Sequence, residues 1–568
     1  MYLKVLFLTY KVTHLSHKIS AKIGYYTLKR CVLMFYNYYQ YDDYNFDSCT
    51  AKGVCSTDPT ISSLQEVIMM YLKQLSFYTL KLKKSGVTNK VIKDNILNTV
   101  SGLVSNTDYS QEQFKNIIQT IYENLRQSKI LYERICKNNN LSATKLENSL
   151  KFSKQLDLNE AIKQGEKEFI RKNKLLSQSQ RHIYEIMLVL IKNVCINLIQ
   201  LKSYNIDYDE AYYSMLQILS MMNYKKTSTE KLKQVIQRFV KVNYKLVKLL
   251  HTAETETFGK QEPVEVSFST RFGKAILVSG SNLKELEEVL KATKNLNIDV
   301  YTHGSMIMGH TYPKIRAYKQ LQGQFGLGVE NCLLDFATFP GAILMTKNSL
   351  QHIEYLYRGR LFTTDANVPK GVTQIKDNDF KPLIKSALDA KGFAKGQIRD
   401  SLKIGYQNEV VEKRVNEVIT KINSRDIKHL FIIGILNHTS LQKRYFSRLL
   451  KSLPVNTHAI TLSTYTPTTN TFQINSSYDF LLMYKILDDL KKKIEYKTFD
   501  ISVFLTKCDK YAISNMLNLK DLGVKNIMLG HCSPMSINPL IIDAFRDIFD
   551  VKIISTPKED IEFLTKTA

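Results

Sequence analysis

From about Leu64 to His251, apolar residues recur at three- and four-residue spacing, most regularly in Leu64–Leu82, Phe114–Ile135 and Ile183–Leu201. Such spacing lays one apolar stripe along each helix, so this part of the chain is predicted to be a helical bundle. Ser85-Gly86, Asn106-Thr107-Asp108 and Asn138-Asn139-Asn140 are its predicted breaks. Thr252 to Val266 is polar and carries Pro263, and reads as the linker out of the bundle.

Beyond it the period changes. Short β-rich runs alternate with amphipathic helices, the pattern of parallel α/β layers. Strands are predicted at Ala275–Ser279, Ile298–Thr302 and Ala342–Thr346, with a helix over Leu283–Asn295. A second set of strands follows at His429–Ile435, His458–Ser463, Ile501–Thr506, Asn526–Leu529 and Val551–Ser555. Helices are predicted between and after them at Leu441–Leu453, Tyr478–Ile494, Tyr511–Leu519 and Pro539–Phe549. The fold class is therefore α+α/β, with a helical bundle followed by two Rossmann-like parallel α/β domains. Open sheets of this kind bind ligands beyond the carboxyl ends of their strands, so chemistry is sought there.

Composition adds limits rather than a function. A length of 568 residues suits three or four domains. The 44% hydrophobic and 23% charged fractions are those of a globular chain. The net charge of +26 attracts phosphates and anionic surfaces, so nucleic acid is one expected partner; a diffuse solvated surface is the other reading. Eight cysteines are too sparse for a disulfide framework. The longest clean apolar run in the helical part, Ile186 to Ile191, stops at Lys192, far short of the roughly 20 residues of a membrane span, so none is expected. No acidic residue precedes Asp42, whereas Lys4, Lys11, Lys18, Lys22, Lys29 and Arg30 do. The first 33 residues then read either as a basic leader to a mitochondrion-type organelle or as an extension upstream of Met34 in a cytoplasmic protein.

Two strand ends carry recognisable motifs: Val278-Ser279-Gly280-Ser281-Asn282-Leu283, and Tyr301-Thr302-His303-Gly304-Ser305-Met306 running on to His310, Tyr312 and Pro313. They resemble V-S-G-H-D-L and Y-T-H-G-E-M-x-x-x-H-x-Y-P of the hybrid-cluster protein family, also called prismane or hydroxylamine reductase. Collinear matches are Phe336 to Thr346, Phe362-Thr363-Thr364, Arg444-Tyr445-Phe446, Leu522 to Ile527, and Gly53-Val54-Cys55 followed by Leu64-Gln65. The resemblance runs from about Met34 to the C-terminus. It implies a [4Fe-4S] or [2Fe-2S] cluster near the N-terminus and a hybrid iron–sulfur–oxygen cluster between the domains, which reduces hydroxylamine to ammonia or nitric oxide to nitrous oxide.

Carried over position by position, the resemblance also implies a loss. The family's histidine in G-H-D-L falls on Ser281, its glutamate in H-G-E-M on Ser305, and its cysteine in M-T-x-N-C on Ser349. Three further cysteine positions fall on Leu436, Thr464 and Ile474, and the last glutamate falls on Asp509. Near the N-terminus C-x-x-C falls on Tyr36 and Tyr39, while Cys49 and Cys55 remain as a residual motif. Hydroxyls and aliphatic groups lack the soft thiolate character that iron–sulfur clusters need. The expected cofactor is therefore none. Cys508, beside Asp509, is expected to be a small buried hydrophobe, and His303 and His310 to pack or hydrogen-bond rather than bind metal. Gly323-Gln324-Phe325-Gly326-Leu327-Gly328 has the wrong order for a dinucleotide loop and no strand before it, and reads as a plain loop.

The implied division is a leader or extension at 1–33, a helical domain with a vestigial Fe–S motif at 34–250, a linker at 251–267, and α/β domains at 268–410 and 411–568. Three functions stay open: an inactive homologue that binds an unnamed macromolecular partner, an active hydroxylamine or nitric oxide reductase, and a basic subunit of a ribonucleoprotein or organellar assembly. The oligomeric state is not legible.

Overall fold

The computed structural model describes residues 59–103, 110–144, 146, 157–168, 176–224, 227–326, 332–350, 353–366, 368–434, 440–462, 470–474, 480–495, 499, 501–505, 510–529 and 545–566. These begin with helices α1 (Pro59–Lys84), α2 (Lys90–Gly102), α3 (Gln111–Asn138), α4 (Leu158–Glu168), α5 (Gln178–Lys202), α6 (Asp209–Met221) and α7 (Thr229–Phe258). The apolar spacing sets their packing, since Leu64, Val67, Ile68, Leu72 and Leu75 form one fully buried stripe of α1. Ser110 and Ser177 open α3 and α5 with capping boxes, their hydroxyls accepting from the N–H of Gln113 and Gln180. The expected breaks after α1 and α3 are real, at Gly86 (φ +77) and Asn140 (φ +54); Asn106-Thr107-Asp108 lies outside the described residues.

By length and composition α5 is apolar enough to cross a membrane, although its longest clean run is short; 78% of its apolar window is buried within the bundle, as in a core helix. One expectation needs correction. The segment expected as a linker, 251–267, is mostly ordered secondary structure. Its first part continues α7 to Phe258, and its last part forms β1 (Val264–Ser267). Polar residues mislead here because only Ala253 and Phe258 of that last stretch of α7 turn inward.

The first sheet region contains β2 (Lys274–Ser279), α8 (Leu283–Ala292), β3 (Ile298–His303), a 3-10 segment (Gly304–Thr311), α9 (Pro313–Arg316), β4 (Leu321–Gln324), α10 (Cys332–Thr338) and β5 (Ala342–Met345). It continues with α11 (Tyr355–Arg358), β6 (Leu361–Thr363), β7 (Thr373–Gln374), α12 (Lys381–Asp389) and β8 (Ser401–Ile404). Its six strands run parallel in the order β4-β3-β2-β5-β6-β7, and β1 pairs antiparallel with β8. The second contains α13 (Asn408–Asn423), β9 (His429–Ile433), α14 (Ser440–Lys451), β10 (Thr457–Thr461), β11 (Thr471–Gln473), α15 (Phe480–Lys493), β12 (Ile501–Leu505), α16 (Lys510–Asp521), β13 (Asn526–Leu529), β14 (Lys552–Ile553) and α17 (Pro557–Lys566). Its parallel order is β11-β10-β9-β12-β13-β14.

Both sheets are covered on both faces, so their central strands β2, β5, β9 and β12 are largely apolar and buried. In β2, Ile276 and Val278 enter one core while Ala275 and Leu277 enter another. The Gly323–Gly328 run is a correction of the loop reading, since Gly323 and Gln324 end the edge strand β4. A Cβ on Gly323 would lie 2.3 Å from the carbonyl oxygen of Ser267, so β1 crossing overhead requires the glycine.

Strand order reverses between β2 and β5 in the first sheet and between β9 and β12 in the second. Crevices for ligands form at such switch points. The second α/β region shares one apolar core with the helical bundle, and Asn193 on α5 donates to the Ser514 hydroxyl on α16 at 2.6 Å.

Candidate functional site

At the first switch point the chain leaves β2 through Gly280, whose φ of +129 is rarely open to other residues. A Cβ there would meet Thr346 Oγ1 at 2.0 Å and Ser349 Oγ at 2.6 Å, so the loop after β5 closes directly over the one after β2. Three of the positions on which the family's ligands fall, Ser281, Ser305 and Ser349, gather around this glycine. Ser305 Oγ donates to the Gly280 carbonyl at 3.0 Å. Ser281 Oγ accepts from Gln200 Nε2 on α5 at 2.7 Å. Ser349 Oγ lies 3.3 Å from Thr346 Oγ1, which also accepts from the Ser281 N–H at 3.3 Å. On the same loop, between Thr346 and Ser349, the buried Asn348 amide nitrogen has no partner among the described residues, while its oxygen accepts from Ser101 and its N–H donates to Asp365 at 2.9 Å.

A carboxyl group stands beside this hydroxyl cluster. Asn282 caps α8 by accepting from the N–H groups of Lys284 and Glu285, and donates to Glu285 Oε1 at 2.9 Å. Glu285 Oε2 accepts from the Lys347 N–H at 3.1 Å and the Thr364 hydroxyl at 2.7 Å. Burial outweighs these donors and pushes the carboxyl up to about 7. It borders a cleft of 490 Å³ between α2 and α5 on one side and the first α/β region on the other, with Asp94, Lys202, Lys284 and Lys347 on its walls.

Both histidines singled out in the sequence make hydrogen bonds. His310 Nε2 meets Thr302 Oγ1 at 2.9 Å, and burial pulls its ring down to about 4, so it stays neutral. His303 lies between Ser279 Oγ, 3.0 Å from Nδ1, and Asp335 Oδ2, 3.3 Å from Nε2. Sequence reasoning missed Ser279 and Asp335. The available signal was that Ser279 and His303 end consecutive parallel strands; Asp335 joins them only through the tertiary fold.

The remaining positions are not drawn into this group. Ile474 follows β11 and is buried in the apolar core shared with the helical bundle. Leu436, Thr464, Asp509, Cys508, Cys49 and Cys55 lie outside the described residues. By chain position Leu436 follows β9 and Asp509 follows β12, the two strands of the second switch point. Among the described residues, no three histidine, cysteine or acidic side chains are grouped to hold a metal ion. Cys136, Cys195 and Cys332 are free and buried, and burial raises the Cys332 thiol to about 12.

Comparison with known proteins agrees with the motifs. The chain is 28% identical over 536 residues to a hydroxylamine reductase of Thermodesulfovibrio yellowstonii, covering 90% of this chain and 97% of the relative. It is 24% identical over 530 residues to a hydroxylamine reductase of Syntrophobacter fumaroxidans, covering 91% and 97%. Among solved structures, an alpha subunit of acetyl-CoA synthase/carbon monoxide dehydrogenase with NiZn[Fe4S4] and NiNi[Fe4S4] clusters aligns with a TM-score of 0.46 at 11% identity, over 90% of this chain and 83% of that one. Residues 44–464 match the Prismane/CO dehydrogenase family, and over that span, most of its length, the chain belongs to it.

Proposed function

We propose that this chain is a hydroxylamine reductase homologue that no longer assembles the hybrid cluster, does not reduce hydroxylamine, and acts by binding a macromolecular partner. The observation that supports it is the donor set at the first switch point. Ser281, Ser305 and Ser349 stand where the family resemblance implies an imidazole, a carboxylate and a thiolate, and each of their hydroxyls is engaged with a neighbour. Neutral hydroxyls are hard, weak donors, and the buried sec-butyl side chain of Ile474 offers none. These residues do not fit an iron–sulfur–oxygen cluster. Leu436 and Thr464 add no thiolate, Asp509 adds one carboxylate, and Cys49 with Cys55 supply half of a four-thiolate site.

The test is iron and acid-labile sulfide analysis of full-length protein purified without oxygen and then reconstituted, together with oxidation of reduced viologen by hydroxylamine. Substoichiometric iron and no turnover are expected; a loaded cluster with turnover would sink the proposal. The second reading, an active reductase of hydroxylamine or nitric oxide, is favoured by similarity to hydroxylamine reductases that spans 97% of their length. For the partner, the net charge of +26 favours a polyanion such as RNA. Binding of that kind would weaken steeply as salt rises.

A further inference from the structure

Ser279 and His303 are ladder partners at the carboxyl ends of β2 and β3. Register therefore places a hydroxyl beside an imidazole at the edge of the sheet where ligands bind, and the side chains meet at 3.0 Å, Oγ to Nδ1. On the other side of the ring, Nε2 faces Asp335 Oδ2 at 3.3 Å. A carboxylate only accepts, so in the neutral ring Nε2 carries the proton and Nδ1 turns its lone pair to the Ser279 hydroxyl. Nucleophile, base and orienting carboxylate then lie in the sequence serine, histidine, aspartate that acyl transfer uses, with the two ring nitrogens exchanged relative to the Ser-His-Asp triad.

Independent features hold this arrangement. His303 is 5% exposed, and its ring lies 4.6 Å from that of Phe336. Gly326 has a φ of +87, and a Cβ there would come within 2.1 Å of Asp335 Oδ2 and 2.9 Å of the His303 ring, so the glycine leaves room for the pair. Ser279 itself is only partly buried and is the last residue of β2, directly before the Gly280 turn that leads to α8.

The geometry points to Ser279 as a nucleophile toward short-chain acyl esters, with His303 as its base and Asp335 as a positioning residue. Ser279 Oγ adds to the ester carbonyl carbon while its proton passes to His303 Nδ1. The bond to the alkoxide breaks, and that alkoxide leaves as the alcohol with the same proton. Water then attacks the acyl-serine by the same route, releasing the carboxylic acid and restoring the hydroxyl. No iron or electron donor enters, so the activity is independent of whether the family's cluster chemistry survives.

The test is reaction of the full-length protein with a fluorophosphonate probe, mapping of the adduct by peptide mass spectrometry, and hydrolysis of p-nitrophenyl acetate. A single adduct on Ser279 is expected in the folded protein and none in urea. Ser279→Ala abolishes it, Ser281→Ala retains it, and His303→Gln lowers both labelling and hydrolysis by about 100-fold or more, the usual range for a lost general base. Absence of a Ser279 adduct on folded wild-type protein overturns the assignment, whatever the stability of the variants. So does labelling that is indifferent to His303→Gln or lost with Ser281→Ala.

Discussion

Replacing Gly280 with alanine tests whether the loops after β2 and β5 close on each other as described. Two costs add. The backbone at φ +129 is a conformation that side chains rarely adopt, and holding a residue in such a region costs roughly 1–3 kcal/mol. The new methyl group would also lie 2.0 Å from Thr346 Oγ1 and 2.6 Å from Ser349 Oγ, and overpacking of this kind typically costs about 1–3 kcal/mol. Taken together, about 4 kcal/mol is expected, which lowers Tm by roughly 8–16 °C in a domain of this size class. Gly86→Ala separates the two costs, because Gly86 also has positive φ, +77, with nothing within 4 Å of the added carbon. It should lose only the conformational part, roughly 1–2 kcal/mol. Calorimetry or circular dichroism melts of the three proteins give the answer. Equal losses for the two variants would refute the close approach of Thr346 and Ser349.

Glu285 takes up a proton on folding, since its carboxyl is raised from 4.5 to about 7. Its contribution to stability is therefore complete below pH 4.5 and is lost as pH rises through 7, a change of about 3 kcal/mol; Glu285→Gln should flatten urea midpoints between pH 5 and pH 8, and unchanged slopes would contradict this. Leu190 on α5 is 0% exposed, so Leu190→Ala should cost roughly 2–5 kcal/mol in urea denaturation. A loss below about 1 kcal/mol would place α5 outside the core.

Periodicity carried most of the fold because both element types announce themselves locally. The stripes of α1, α3 and α5 and the runs at β2, β3, β9 and β13 are legible in residue order. What was not legible depended on neighbours. Gly323 belongs to a strand because it pairs with Tyr301 of β3, and the polar Thr252–Thr257 stretch is helical because α7 is anchored at Ala253 and Phe258. At the candidate site, the gathering of Ser281, Ser305 and Ser349 followed from motifs at strand ends, but their partners did not: Gln200 comes from the bundle, and Thr346 reaches across from β5. Ser279 was visible as a motif residue, and only its ladder pairing with His303 shows what it faces.

The single core shared by α5 and α16 has a consequence for synthesis. Asn193 and its partner Ser514 are separated by 321 positions, and the whole first α/β region is translated between them. At about 5–20 residues per second, the apolar surface of α5 waits roughly 15–60 s for the helix that covers it. The middle of the chain can close its own core during that interval, whereas the bundle stays unfinished until the C-terminal sheet emerges. Nascent chains stalled before α16 should therefore be the species most dependent on chaperone binding.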